Sequence, residues 1–263
     1  MVELKDSGTE TMDNQVVKDI IGSGFAIDKS GIKHKIGGNI NQSEGEYLWR
    51  LILNNKFQRS VETGGAYCVS SLYICDAISR QASPYHIIID PCQTAEWHNI
   101  GRDNLDRAGF RFYKLIEEPS EIALPRLWKE EEKFDFAFID GWHSFYQVLI
   151  DFFYLDKMLR VGGVIAFHDS GFRCIHRAIR CIMGCPNYVL LDAYGTVSQK
   201  RRLMNKVKKI ANLFVRFIPR QIAEELFDAE TVRPDYFCQL HCSLILLRKV
   251  SNAEREPYWY KHF

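Results

Sequence analysis

Apolar and polar positions along this chain follow two periods. Short strand-like runs recur at 60–62, 86–90, 111–116, 134–139, 163–168, 188–191 and 243–247, and those at 134–139, 163–168, 188–191 and 243–247 are largely apolar. Between them lie stretches with helical spacing at 41–55, 69–80, 97–108, 120–128, 144–159 and 172–183. Ser43 is the expected cap of the first helix, with Glu46 at capping-box spacing and Tyr47, Leu48, Leu51 and Ile52 as its apolar face. Gly109 ends the third helix, and Gly184 with Pro186 ends the last.

Strands alternating with helices at these lengths build βαβ units. The fold class expected is α/β: a doubly wound, mostly parallel seven-stranded sheet with helices on both faces. The last two strands, separated by a long insertion, are expected to form an antiparallel edge. Residues 1–40 read as a loosely structured lead, because Gly22, Gly24, Gly31, Gly37 and Gly38 break every pattern there. One domain then spans 41–250, with a basic insertion at 195–235 and a tail at 251–263.

Composition narrows this picture. A chain of 263 residues, 46% of them hydrophobic, can bury one sizeable core. A net charge of +1 gives no global field for nucleic acid. The first residues are polar and acidic, and apolar stretches are broken by charge short of a membrane span, so a soluble, cytoplasmic protein is expected. Of the eight cysteines, Cys181, Cys185, Cys238 and Cys242, with His241, suggest zinc only loosely. They lack a tight C-x₂-C knuckle, and buried thiols are the default.

The chemistry concentrates at strand ends. In an open parallel sheet, ligands bind outside the carboxyl ends of the strands. Asp140 ends the 134–139 run, His168 and Asp169 end the 163–168 run, and His143 follows the first acid, so all four are expected on one rim. Between the first strand and its helix lies a glycine turn, Glu62-Thr63-Gly64-Gly65-Ala66-Tyr67, leading to Ser70 and Ser71. Asp90 tips the next strand, where a ribose-binding acid is expected.

Glu62-x-Gly64, the turn to Ser70 and Ser71, and Asp90 resemble the cofactor motifs of class I S-adenosylmethionine-dependent methyltransferases. Cys68 stands where that family's third glycine usually lies. A dinucleotide dehydrogenase is the rival, but G-x-G-x-x-G is not matched. The segments 140–151 and 159–169 are similar to those of bacterial sugar and natural-product O-methyltransferases, a branch related to catechol-type enzymes.

The resemblance implies the methionine part of S-adenosylmethionine over Gly64, Gly65, Ala66 and Tyr67, ribose on Asp90, and adenine near Cys92 and the 118–120 loop with Ser120. It implies Asp140 and Asp169 as Mg²⁺ ligands, Ser170 where the family has asparagine, and His143 where a catalytic lysine stands. Plain structural readings stay open: Asp140 as a helix cap, His143 as a rim histidine bonded to Asp169, His168 turned toward the sheet, Asp151 as a structural acid, and Trp142 as either pocket wall or core.

Residues 200–220 carry eight basic residues and no acid, with Leu203, Val207, Ile210, Phe214 and Phe217 at helical spacing. This segment reads as a lid, a homo-oligomer interface or a peripheral membrane contact. The function expected is methyl transfer to a hydroxyl of a sugar or small-molecule acceptor, Mg²⁺-assisted or with His143 alone. A non-catalytic binding or assembly module is the rival from another class.

Overall fold

The computed structural model describes residues 12–195 and 242–252, together with isolated positions between 210 and 222. The N-terminal lead is more ordered than its glycines suggest. Helix α1, Gln15–Ser23, starts where the Asn14 side chain accepts from the amides of Val16 and Val17, and it ends at Gly24 in the left-handed conformation. Its Val16, Val17 and Ile20 are buried in the main core, so the glycines end a helix rather than prevent one. A small antiparallel hairpin, β1 (Phe25–Ile27) and β2 (Lys33–Lys35), follows.

Helix α2 spans Gln42–Asn55, and its cap is Asn41 rather than Ser43. The capping box is completed by Glu44, whose carboxylate accepts from the Asn41 amide at 3.0 Å. Ser43 instead donates to the Asn41 side chain, and Glu46 takes a hydrogen bond from Gln42.

The core alternates as expected: β3 (Arg59–Thr63), α3 (Val69–Ser79), β4 (Tyr85–Ile89), α4 (Ile100–Arg107), β5 (Tyr113–Ile116), α5 (Ser120–Lys129), β6 (Phe134–Ile139), α6 (Phe145–Met158), β7 (Leu159–Phe167), α7 (Arg173–Ile182), β8 (Tyr188–Tyr194) and β9 (Leu244–Lys249). The seven-stranded sheet has the order β5-β4-β3-β6-β7-β9-β8. The first five strands in that order are parallel, and β9 runs antiparallel to both β7 and β8. The antiparallel strand thus sits one place in from the edge, and β8 forms the edge itself.

Both faces are covered, which explains the continuous apolar runs. Phe136, Phe138, Val164, Ala166, Leu244 and Leu246 pack with α1, α2 and α3 on one face. Ala137, Ile139, Ile165, Phe167, Ile245 and Leu247 pack with α5, α6 and α7 on the other. From β3 the chain runs outward to β4 and β5, then crosses back to place β6 on the other side of β3. The switch in strand order lies between β3 and β6, and a ligand crevice is expected outside their carboxyl ends.

Candidate functional site

At the end of β3 the chain must turn sharply into α3. Gly64 does so at φ +86°, and a Cβ there would overlap the Asp140 carbonyl oxygen at the end of β6. Glycine is what lets the two strand tips meet. Ala66 (φ +44°) and Cys68 (φ +57°) also take left-handed conformations, which cost roughly 1–2 kcal/mol per non-glycine residue. The fully buried Cys68 fits because Gly101 on α4 makes room: a Cβ on Gly101 would lie 2.6 Å from the thiol sulfur.

Asp90 secures this turn. Its Oδ2 accepts from the amides of Gly65 (2.9 Å) and Ala66 (2.6 Å), and its Oδ1 from the amide of Cys92 (2.8 Å). This strand-tip carboxylate braces the turn, because the amides beside it take it as their acceptor. Tyr67 is buried edge-on against Trp97, and Ser70 is buried in the first turn of α3. Glu62 is fully buried, and Ser71 donates to its Oε1. Its Oε2 has no hydrogen-bond partner among the described residues. A buried carboxylate oxygen without a donor is costly unless a ligand supplies one.

The 118–120 loop is tied to α6. Ser120 donates to Asp151 at 2.7 Å, and Gln147 donates to both. Asp151 is almost fully buried, and that burial raises its pKa against the lowering effect of these hydrogen bonds. It is a structural acid. Trp142 is 75% exposed and is therefore not core.

The rim assembles as the strand ends predict. Ser144 caps α6, so Asp140 is free of that duty. Asp140 Oδ1 lies 2.9 Å from His168 Nδ1 and 3.6 Å from His143 Nε2. His143 Nε2 is also 3.6 Å from Asp169 Oδ2, and its ring stacks on Phe172. The Asp140 carboxylate raises the His143 pKa above its ordinary value, with burial opposing. Burial likewise raises the Asp169 carboxyl, while the neighbouring histidines hold it down.

His168 is turned inward, 6% exposed, with Nε2 facing Glu44 Oε2 at 3.5 Å. Burial alone would lower its pKa, but hydrogen bonds to Asp140 and Glu44 and the charges of Asp140 and Asp169 outweigh it, and the pKa is pushed up to about 10. Glu44 was not among the residues singled out from sequence. Its sequence signal is the capping-box spacing from Asn41, two residues before the corresponding pair Ser43 and Glu46.

Asp140, His143 and Asp169 each offer one donor atom, all within 4.8 Å of one another. Ser170 does not join them: it is fully buried and its hydroxyl donates to the Cys242 carbonyl beside β9. Mg²⁺ favours an octahedral shell of oxygens. Here one donor is an imidazole, one carboxylate oxygen is already bonded to His168, and the third expected oxygen is turned away. Asp140, His143 and Asp169 are the donors that could hold a divalent ion here, with an imidazole in place of the third oxygen.

Residues 61–170 match the family model described as a methyltransferase domain. Over that segment the chain is similar to a methyltransferase domain. No curated protein matches it at the level of sequence. Among solved structures, the Bacillus cereus O-methyltransferase in complex with S-adenosylhomocysteine is 16% identical, with a TM-score of 0.59 over 72% of this chain and 87% of that one. TomG from Streptomyces achromogenes, an O-methyltransferase of tomaymycin synthesis solved with S-adenosylmethionine, is also 16% identical, with a TM-score of 0.57 over 73% and 87%. PaMTH1 from Podospora anserina, solved with S-adenosylhomocysteine, is 17% identical, with a TM-score of 0.51 over 59% and 74%. These likenesses fix the fold.

The domain's residues fit the methionine end of the cofactor, whose ammonium is the kind of donor that the orphaned Glu62 oxygen beneath the glycine turn lacks. A cavity of about 510 Å³ lies elsewhere, lined by Arg59, Asp135, Arg160 and Arg248 among others. Asp135 there accepts from the Gln58 and Arg59 amides and from Arg160, which makes it a structural junction at the opposite strand ends. The basic segment 200–220 and the Cys238–His241 pair fall almost wholly outside the described residues. No described helix is long and apolar enough to cross a membrane.

Proposed function

We propose that this methyltransferase domain moves a methyl group to a hydroxyl oxygen of a sugar or other small-molecule acceptor, with His143 as general base. The observation that carries this reading is the position of His143. It is partly exposed on the rim, 3.6 Å from two carboxylates, beside the strand tips that the glycine turn brings together. When bound, S-adenosylmethionine supplies an electrophilic methyl group. Glu62, beneath the glycine turn, binds the cofactor's methionine end.

Asp140 and Asp169, both facing Nε2, favour the tautomer with its proton there and leave Nδ1 as the acceptor. His143 takes the hydroxyl proton as the oxygen–carbon bond forms and the carbon–sulfur bond breaks. Asp140 and Asp169 then stabilise the imidazolium that results. The exposed Trp142 and the half-exposed Phe172 flank this point and suit the apolar face of a ring-shaped acceptor.

Binding of S-adenosylhomocysteine, read by thermal shift, is the first test, since a bound ligand raises the melting temperature. Failure to bind would favour a non-catalytic module. Transfer of labelled methyl from S-adenosylmethionine to a panel of sugars and phenols is the second. His143→Ala should lower kcat about 10²–10⁴-fold with S-adenosylhomocysteine affinity unchanged. An unchanged kcat removes His143 as the base.

A further inference from the structure

We propose that the cavity of about 510 Å³ at the amino ends of the strands is a binding site for a phosphomonoester, a small molecule with a terminal dianionic phosphate, held by Lys56 and Arg248. The cavity lies between the end of α2, the starts of β3, β6 and β7, and the end of β9. The rim lies at the other ends of these strands, and the five residues of β3 separate the two by roughly 15 Å. The occupant is therefore not the methyl acceptor, and the inference does not depend on the methyl-transfer reading.

Charge carries it. Four cations line the cavity, Lys56, Arg59, Arg160 and Arg248, against one carboxylate, Asp135. Arg160 pairs with Asp135 at 2.5 Å, and Arg59 turns to Glu132 at 2.5 Å with its guanidinium over the Tyr85 ring. The half-buried Arg248 has only neutral partners among the described residues, the Gly162 carbonyl at 3.2 Å and Asn55 Oδ1 at 2.8 Å. Part of its fork of N–H donors is left unused. Lys56, exposed beside it, makes no ion pair with a described residue. Two positive charges thus remain, and they match the roughly two negative charges of a phosphomonoester at neutral pH. The guanidinium fork suits pairs of phosphate oxygens, and the ammonium adds a point charge. A cation at the end of a helix is favourable in itself, which accounts for Lys56 but not for Arg248 on β9.

The fold builds one wall of this cavity from residues that the sheet does not require. Phe134 pairs with Leu159 and Phe136 with Val164, so Asp135 alone faces residues 160–163 of β7. An irregularity of this kind re-aims side chains. Gly162 takes the turn at φ +89°, and a Cβ on Gly163 would lie 2.8 Å from the Asp135 carbonyl oxygen, so glycine is what lets this segment lie against β6. Arg248 holds it from β9 through the Gly162 carbonyl. The volume exceeds that of one phosphate and is in the range of small-molecule sites, and the half-exposed Val161 lies beside the charges for the rest of the ligand.

The probe is glucose 6-phosphate, and dimethyl phosphate, a monoanion, is the control. Each is titrated into the full chain at constant ionic strength, without and with saturating S-adenosylhomocysteine. Calorimetry should give one site for glucose 6-phosphate with a Kd of about 1 mM or tighter, and binding of dimethyl phosphate about tenfold weaker or less. In ¹H–¹⁵N spectra the Arg248 Nε–H and the Gly162 and Gly163 amides should move. Lys56→Gln and Arg248→Gln should each weaken binding about tenfold and leave S-adenosylhomocysteine affinity unchanged. Arg248→Lys, which keeps the charge but not the fork, should weaken it as well. The proposal is overturned by an absence of saturable binding, by equal affinity for the two probes, by shifts confined to the rim, or by parental affinity in Lys56→Gln. If Arg248→Gln fails to fold, the parental shifts and Lys56→Gln, at an exposed position, decide the matter. Failure of S-adenosylhomocysteine to bind would end the methyl-transfer reading and leave these titrations readable.

Discussion

His168 links pH to stability through a sign that can be worked out. Its folded pKa is raised from the ordinary histidine value to about 10. The stabilisation is therefore fully present below pH 6.5 and is lost as pH rises toward 10. One proton gives at most about 1.4 kcal/mol per pH unit in that window. Urea unfolding at pH 7, 8 and 9 should show stability falling with pH, and His168→Asn should flatten that slope. Equal slopes in parent and variant would mean that the ring is not charged in the fold. At this scale the sequence identified Asp140, His143, His168 and Asp169 as neighbours, because strand ends are readable from apolar runs. It did not identify Glu44, whose partners at Ser243 and His168 lie far along the chain.

Among elements, the turn from β3 into α3 is the most constrained. Its left-handed residues are held by Asp90 from below and by the absence of a side chain at Gly101 from the side. A Cβ at Gly101 would lie 2.6 Å from the Cys68 sulfur and 2.7 Å from the Ala66 carbonyl oxygen, and the backbone atom cannot swing away. Gly101→Ala should destabilise the protein by about 1–3 kcal/mol and weaken S-adenosylhomocysteine binding, measured by urea unfolding and calorimetry. Unchanged affinity would show that the turn shifts without touching the ligand. The glycine turn and Asp90 were both legible from sequence, but Asp90's work on the turn amides was not. A strand-tip acid is equally spaced for ribose or for its neighbour's loop, and only the fold shows which donors are in reach.

Across the whole molecule, the N-terminal residues belong to the core. Helix α1 buries Val16, Val17 and Ile20 in the cluster that also contains α3 residues Leu72, Tyr73 and Ile74, directly behind the glycine turn. Ile20 is 3% exposed. Ile20→Ala should cost about 2–5 kcal/mol by denaturant titration. A loss below 0.5 kcal/mol, the range expected of a surface substitution, would return this segment to the status of a loose lead.

The alternation of strand and helix, the doubly wound class and the rim at 140–169 follow from sequence alone, because the two hydrophobic periods and the residues at their ends are local properties. The glycine turn is local too, since a positive φ is a property of one residue. Strand order was not local. Nothing in the spacing placed β9 between β7 and β8, or brought Ser243 and His168 to Glu44. Those contacts were decided by packing, where bringing three acids and two histidines to one point leaves few arrangements in which every charge has a partner. The tertiary structure thus added Glu44 and Ser243 to a rim of which the sequence showed only Asp140, His143, His168 and Asp169.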